Sequence, residues 1–431
     1  MKRITFCIGL SVMSLLGYGQ IGNQILTSIA LGKYSDALEQ INELPSSPEI
    51  IQFKAIAFEG LNMWDSAVVY YSKLSNIDTQ LAKKGLARCY ESVGNSSKAI
   101  DLYKQILADD SLNANIITRY ANLLRSSSLH KKALEQFLKL IELDSTCAKY
   151  WEMLGDQYKA MNMTVESTTA YNKAYLLNSN NLFVASKYFA QLIKSNVPLQ
   201  YVYENILDAY QVDSTYMPIL MLKGKVESDM KKYSQAEITF TRIASLGDSS
   251  FFTLKNLAIA KHSNGSYLEA ENLFKKAYEM DSTDFLLNFV YAKTLQNVGE
   301  RNLALDIISN TIKFLYPPDE LVASFYELAG DIYNSGNKID LAVENYQMAL
   351  EKDKNNELKY LNKIIWCKIY DKKFRDAEYL VHKYDSIVLE KYADDSIHLK
   401  NEQRKTGFYK DLLKKEFFFM DDLKNGKFLV Y

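Results

Sequence analysis

The sequence predicts an all-α chain of about eleven helix-turn-helix repeats, closed by a C-terminal helix. Three observations carry that expectation. Small residues recur at intervals close to 34, each inside an apolar stripe of helical spacing. A bulky apolar or aromatic residue follows most of them four places later. The six prolines fall between the stripes or at their first turns; inside a helix each would cost about 3 kcal/mol.

The register marks are Ala37, Ala67, Ala99, Ala133, Ser167, Tyr201, Ala236, Ala270, Ala304, Ala342 and Ala377, at intervals of 30, 32, 34, 34, 34, 35, 34, 34, 38 and 35 residues. A fixed period of this length is the signature of a repeat array. Alanine suits the mark because two helices that cross closely there leave no room for a larger side chain. Tyr201 breaks the rule, which predicts a locally opened crossing in the sixth unit. Four residues on stand Tyr71, Tyr103, Phe137, Tyr171, Phe240, Phe274 and Tyr346. Tyr90, Tyr158 and Tyr333 share a place on first helices, and Tyr34, Trp64, Tyr233, Tyr267 and Phe374 share one in the turns. Many of the 31 tyrosines therefore read as packing residues.

The connections agree with this layout. Gly32, Gly94, Gly265, Gly299 and Gly336-Asn337 supply permissive backbone after first helices. Asp144-Ser145-Thr146, Asp213-Ser214-Thr215 and Asp281-Ser282-Thr283 recur after second helices, where a hydroxyl or carboxylate can cap the next one. Tyr316-Pro317-Pro318-Asp319 occupies the one long interval and is a place where the array can kink or divide. The expected organisation is a leader over 1–19, repeats one to nine over 20–316, repeats ten and eleven over 317–386, and a capping helix with an apolar tail over 387–431. That tail, Phe417-Phe418-Phe419-Met420 and Phe428-Leu429-Val430-Tyr431, either packs on the last repeats or docks on a partner.

A length of 431 residues exceeds one ordinary core. A repeat array escapes the limit because each unit touches only its neighbours. With 51 basic and 52 acidic residues there is no field to draw in nucleic acid or an anionic membrane. Lys2-Arg3, an apolar run over 4–16 and Gly17-Tyr18-Gly19 read as a secretory signal cleaved near Gly19, with an uncleaved anchor as the alternative. This predicts an exported protein of the periplasm or cell envelope, with no membrane span in the mature chain. Its three cysteines make no disulfide framework. Cys89 and Cys367 fall at core places, and Cys147 lies in an inter-repeat turn.

The fifth unit is the clearest template. Trp151, Leu154, Gly155 and Tyr158 spell W-x2-L-G-x2-Y, followed by Tyr171 and Ala174 on a second stripe. This resembles the tetratricopeptide (TPR) repeat. The family's usual Pro after the closing Asp is Ser here. The resemblance implies a right-handed α-solenoid whose first helices line a concave groove that takes a peptide or a partner protein. Groove candidates by the repeat frame are Lys84 and Arg88, Asn122 and Arg125, and Lys149 beside Glu152, Asp156 and Lys159. Further along, the face turns apolar and aromatic, with Phe252, Lys255, Phe289, Lys293 and Trp366. Lys84, Arg88, Asn122 and Lys149 resemble the family's carboxylate clamp, although Arg88 stands where the clamp has Asn; a solvated helix face is the favoured reading of them.

Catalytic and cofactor motifs are missing from the sequence. There is no P-loop, G-x-G-x-x-G, G-x-S-x-G or Cys/His cluster. His130, His262, His382 and His398 are scattered without i+3 or i+4 partners. His130 and His262 are expected near the ends of first helices, where a cation suits the dipole. The expectation is a non-enzyme with no cofactor and no metal. It would be an envelope scaffold that binds a protein or peptide, associating peripherally with envelope complexes in their assembly or secretion. A peptide-sensing regulator is the alternative.

Overall fold

The computed structural model describes residues 21–42 and 44–424, with side chains from 22 to 416. The expected leader over 1–19 and the tail residues Phe428-Leu429-Val430-Tyr431 lie outside the described residues, as do the side chains of Phe417-Phe418-Phe419-Met420. Among the described residues every regular element is a helix, and none is long and apolar enough to cross a membrane. The chain forms two compact units, Met1–Ile219 and Leu220–Tyr431.

The first unit contains six helical hairpins. They are α1 (Ile21–Ala30) with α2 (Tyr34–Asn42), α3 (Pro48–Gly60) with α4 (Trp64–Leu74), and α5 (Thr79–Ser92) with α6 (Ser96–Asp109). Then come α7 (Ala114–Ser126) with α8 (His130–Leu143), α9 (Ala148–Ala160) with α10 (Thr164–Leu177), and α11 (Leu182–Lys194) with α12 (Leu199–Val212). The unit boundary falls within α13 (Met217–Asp229). The second unit continues with α14 (Tyr233–Ser245), α15 (Phe251–Ser263) with α16 (Tyr267–Met280), and α17 (Phe285–Val298) with α18 (Arg301–Leu315). It ends with α19 (Asp319–Ser335) and α20 (Ile339–Lys352), α21 (Glu357–Tyr370) and α22 (Phe374–Lys391), and the closing helix α23 (Ser396–Lys424).

Most hairpins are held by a small residue on the first helix beneath a large one on the second. A β-carbon on Gly155 would stand 2.7 Å from the Tyr171 ring, one on Gly224 2.8 Å from Phe240, and one on Gly330 2.5 Å from Tyr346. Ala55, Ala87, Ala121 and Ala258 fill the same place elsewhere and are fully buried, as are Tyr71, Tyr103, Phe137 and Phe274. The turn between helices needs one left-handed residue. Gly94 (φ 79°) and Gly265 (φ 86°) supply it without strain, whereas Lys231 and Lys372 adopt it at φ 59°.

Three expectations need correction. In the sixth hairpin the crossing place belongs to Val202, fully buried, while Tyr201 is half exposed. Val197 and Pro198 both stay outside helix, so the turn is one residue longer and α12 is rotated by one position. As the opened crossing implied, α11 and α12 touch more sparsely than α9 and α10 of the fifth hairpin. His130 does not end a first helix: it is the first residue of α8, at the positive end of the dipole. The Asp144-Ser145-Thr146 and Asp281-Ser282-Thr283 turns do not cap the following helix. Asp144, Asp213 and Asp281 instead accept from the backbone N–H and hydroxyl of Thr146, Thr215 and Thr283, at 2.7–2.9 Å, and so close the preceding helix. The long 304–342 interval is taken up largely as helix: α19 has 17 residues against 13 in α15, after Tyr316 turns the chain at φ 47°.

α23 lies along α22 and covers the end of the core. Tyr409 and Leu413 join Leu361, Ile365, Val381, Tyr384 and Val388 in one buried cluster. The Tyr384 hydroxyl donates to Glu402 at 2.6 Å, Lys410 pairs with Asp385, and Tyr409 donates to Asn362.

Candidate functional site

Where successive hairpins touch beyond their consecutive helices, the first helices make the contact. α1 meets α3 and α3 meets α5; in the second unit α15 meets α17 and α17 meets α19. No two second helices touch as extensively among the described residues. The first helices therefore form the inner face of each stack, and that face is the candidate site.

Much of its charge is spent internally, through a motif that recurs. Where the ring over the small residue is Tyr, its hydroxyl donates to a carboxylate on its own first helix, and a cation from the next first helix neutralises that carboxylate. Tyr71 donates to Glu59, which Arg88 grips with Nε at 2.5 Å and Nη2 at 2.8 Å. Tyr103 donates to Glu91 at 2.5 Å, with Arg119 at 3.4 Å. Tyr171 donates to Asp156 at 2.6 Å, and Lys187 bonds both Asp156 and Glu152 at 2.9 Å. Tyr346 donates to Asp331 at 2.7 Å, and Lys363 bonds Asp331 at 2.6 Å and pairs with Glu327 at 3.0 Å. Burial, then these carboxylates, drive all four phenols well above the ordinary tyrosine value. Glu327 behaves oppositely: burial resists its charge, but hydrogen bonds from Lys359 and Lys363 hold it below the usual carboxylate range. In the seventh hairpin the ring is Phe240, and Thr239 takes the role, donating to the fully buried Glu227 at 2.7 Å.

This motif decides where the expected groove residues stand. Arg88 is paired internally, with Nε and Nη2 on Glu59 and Nη2 also reaching the Tyr71 hydroxyl. Lys149 donates to Glu152 at 2.8 Å. Arg125 donates to Asn122 at 2.8 Å and lies over the Phe137 ring at 5.4 Å. Lys84 is partly buried, with no carboxylate in ion-pair range among the described residues. Phe252 packs edge-on to Phe240 and Phe289 edge-on to Phe325. Lys293 sits over Phe289 at 5.6 Å, while Lys255 is paired with Asp284 at 2.5 Å. Trp366 meets Tyr409 edge-on at 5.5 Å and Phe408 at 6.1 Å, yet remains 44% exposed. Its cover among the described residues thus comes from α23. The residues missed from sequence are Glu59, Glu91, Lys187, Asp331 and Lys363. Their signal was a carboxylate 12 or 15 positions before a ring that is Tyr rather than Phe.

The W-x2-L-G-x2-Y stretch folds as the first helix of a hairpin, with Gly155 directly beneath Tyr171, and the same hairpin repeats along both units. These hairpins are similar to those of the tetratricopeptide (TPR) repeat, and each unit is an all-α stack of them. No family model matches the chain. Over 84 residues it is 30% identical to the general transcriptional corepressor trfA of Dictyostelium discoideum, a match covering 20% of this chain and only 6% of that protein. Among solved structures, YrrB, described as a TPR protein with an unusual peptide-binding site, is 18% identical, with 43% of this chain and 94% of that one covered and a TM-score of 0.37. PilF of Pseudomonas aeruginosa is 18% identical over 50% of this chain and 97% of its own, with a TM-score of 0.43. The C-terminal part of a TPR repeat-containing protein from Cytophaga hutchinsonii is 15% identical over 57% and 98%, also at 0.43.

Proposed function

We propose that this TPR array is a non-catalytic scaffold for protein–protein interaction, exported to the cell envelope, that holds an extended segment of a partner protein against its first-helix face. One observation carries the reading. On a face where Arg88, Lys187, Lys255 and Lys363 are each paired internally, Lys84, Arg125 and Lys293 meet no carboxylate among the described residues. In the first unit, Lys84 and Arg125 suit the carboxylates of an acidic segment. In the second, Phe289 with Lys293 over its ring, and Phe252 on the preceding first helix, suit apolar side chains flanked by an acid, since aromatic anchors dominate such contacts. The Lys2-Arg3 leader supports export, and assembly or secretion of envelope proteins is the role we favour.

The test is capture from an envelope fraction followed by mass spectrometry, with Lys84→Glu/Arg125→Glu and Phe252→Ala/Phe289→Ala as variants. Each pair is expected to weaken capture of a discrete partner by roughly tenfold while helical circular dichroism is unchanged. Equal capture by wild type and both variants would remove the first-helix face as the site. Recovery of the chain in the cytoplasm with residues 1–19 intact would remove the envelope assignment.

A further inference from the structure

We propose that the last hairpins of the second unit carry a further docking surface, built on Trp366, Tyr370 and Phe408. Its occupant is a partner segment that holds a bulky apolar side chain close to a pair of carboxylates. This rests on the reading of the array as a protein-binding scaffold, but on none of the residues used above for that reading.

The rings form a continuous strip. Trp366 and Tyr370 stand one turn apart on α21 and share a face. The Trp366 ring meets that of Phe408, on α23, at 6.1 Å. Trp366, Tyr370 and Phe408 stay 44, 71 and 56% exposed, whereas Tyr409, which touches the same indole, is buried. Large exposed aromatics gathered in one place suit the apolar anchor of a partner.

Tyr370 carries the strip to a cleft of about 750 Å³ between the turns of the tenth and eleventh hairpins. Lys338, Asp340, Leu341, Asp371 and Lys372 line it as well. Both aspartates are held by Lys373, at 2.9 and 2.6 Å. Lys338 and Lys372 have no carboxylate in ion-pair range among the described residues. The acids of the cleft are therefore answered from within, and the two remaining lysines suit incoming carboxylates. One turn of α21 advances about 6 Å, which an extended chain covers in about two residues. That sets the spacing between the apolar side chain and the acids. The aspartates also disfavour an anionic bilayer, which would lie over them as well as over the lysines.

Fluorine NMR of the full chain labelled with fluorotryptophan tests this. Its reporters are Trp64, Trp151 and Trp366, and the first two lie in the first unit as internal references. The probe is the peptide acetyl-Phe-Gly-Asp-Glu-amide, with acetyl-Phe-Gly-Asn-Gln-amide as its neutral twin. The acidic peptide is expected to shift the Trp366 signal alone, saturably, and several-fold more tightly than the neutral one. Lys338→Gln/Lys372→Asn should erase that preference with helical circular dichroism unchanged, since Asn tolerates the left-handed turn at 372. Lys84→Glu/Arg125→Glu and Phe252→Ala/Phe289→Ala should bind the peptide as wild type does, so failure of the first-helix sites and failure of this one are separate results. No Trp366 shift up to millimolar peptide, equal affinity for the two peptides, or an undiminished preference in the lysine variant overturns the proposal. So does a Trp366 shift produced by phosphatidylglycerol vesicles and not by peptide.

Discussion

The fifth and sixth hairpins are neighbours in the first unit and solve the same packing problem in opposite ways. In the fifth, the first helix contributes Gly155 and the second fills the space with Tyr171; Ser167 at the crossing donates to the Gly155 carbonyl at 3.0 Å. In the sixth, Phe189 stands 34 residues after Gly155, fully buried, and touches Tyr175 edge-on at 5.5 Å. The second helix answers with the smaller Ile206 and with Val202 at the crossing. Bulk has moved from the second helix to the first, and one extra turn residue rotates α12 to accept it. A repeat period specifies that a volume be filled; it leaves open which helix fills it. The fifth solution also brings a phenol to Asp156, and through Lys187 a polar tie to the next repeat. The sixth, with Ile206 at the ring place, has no phenol to offer there.

The largest effect that would break this contrast is at Tyr171. Tyr171→Ala removes a buried ring and the hydroxyl on Asp156, and should cost about 3–5 kcal/mol in urea unfolding; Ile206→Ala should lie nearer 2. Equal losses would mean the two hairpins are not distinct. Lys187→Met comes next. It deprives Asp156 and the nearly buried Glu152 of their shared cation, and a loss of about 3 kcal/mol is expected. Lys363→Met should behave alike, because Glu327, Asp331 and Tyr346 repeat the arrangement.

Gly155→Ala sharpens the comparison further. Alanine gains about 1 kcal/mol of helix propensity, but its β-carbon would sit 2.7 Å from the ring. Overpacking of about 1–3 kcal/mol should outweigh the gain, so a more stable variant would show the contact to be slack. The smallest effect is Tyr201→Ala, expected within about 0.5 kcal/mol because the side chain is half exposed. A loss above 2 kcal/mol would return Tyr201 to the crossing.

Much of the fold was legible because it rests on local periodicity. The marks from Ala67 to Ser167 and from Ala236 to Ala377 all lie buried at hairpin crossings. The error at Tyr201 came from counting residues across a turn whose length had changed by one, which no periodicity can reveal. The candidate face was less legible. Lys84 and Arg88 occupy equivalent-looking surface places four residues apart, yet Arg88 alone reaches a carboxylate 29 residues earlier. Trp366 looked like a groove residue, and only α23 shows why it is partly covered.

Composition and a 34-residue rhythm by themselves determined that this chain would be helical, paired and repetitive, since those properties follow from which side chains share a helix face. The tertiary structure alone decided which of its charges are internal. An ion pair depends on where two helices of different repeats come to lie, and burial then sets whether a lysine or arginine serves the fold or remains for a partner.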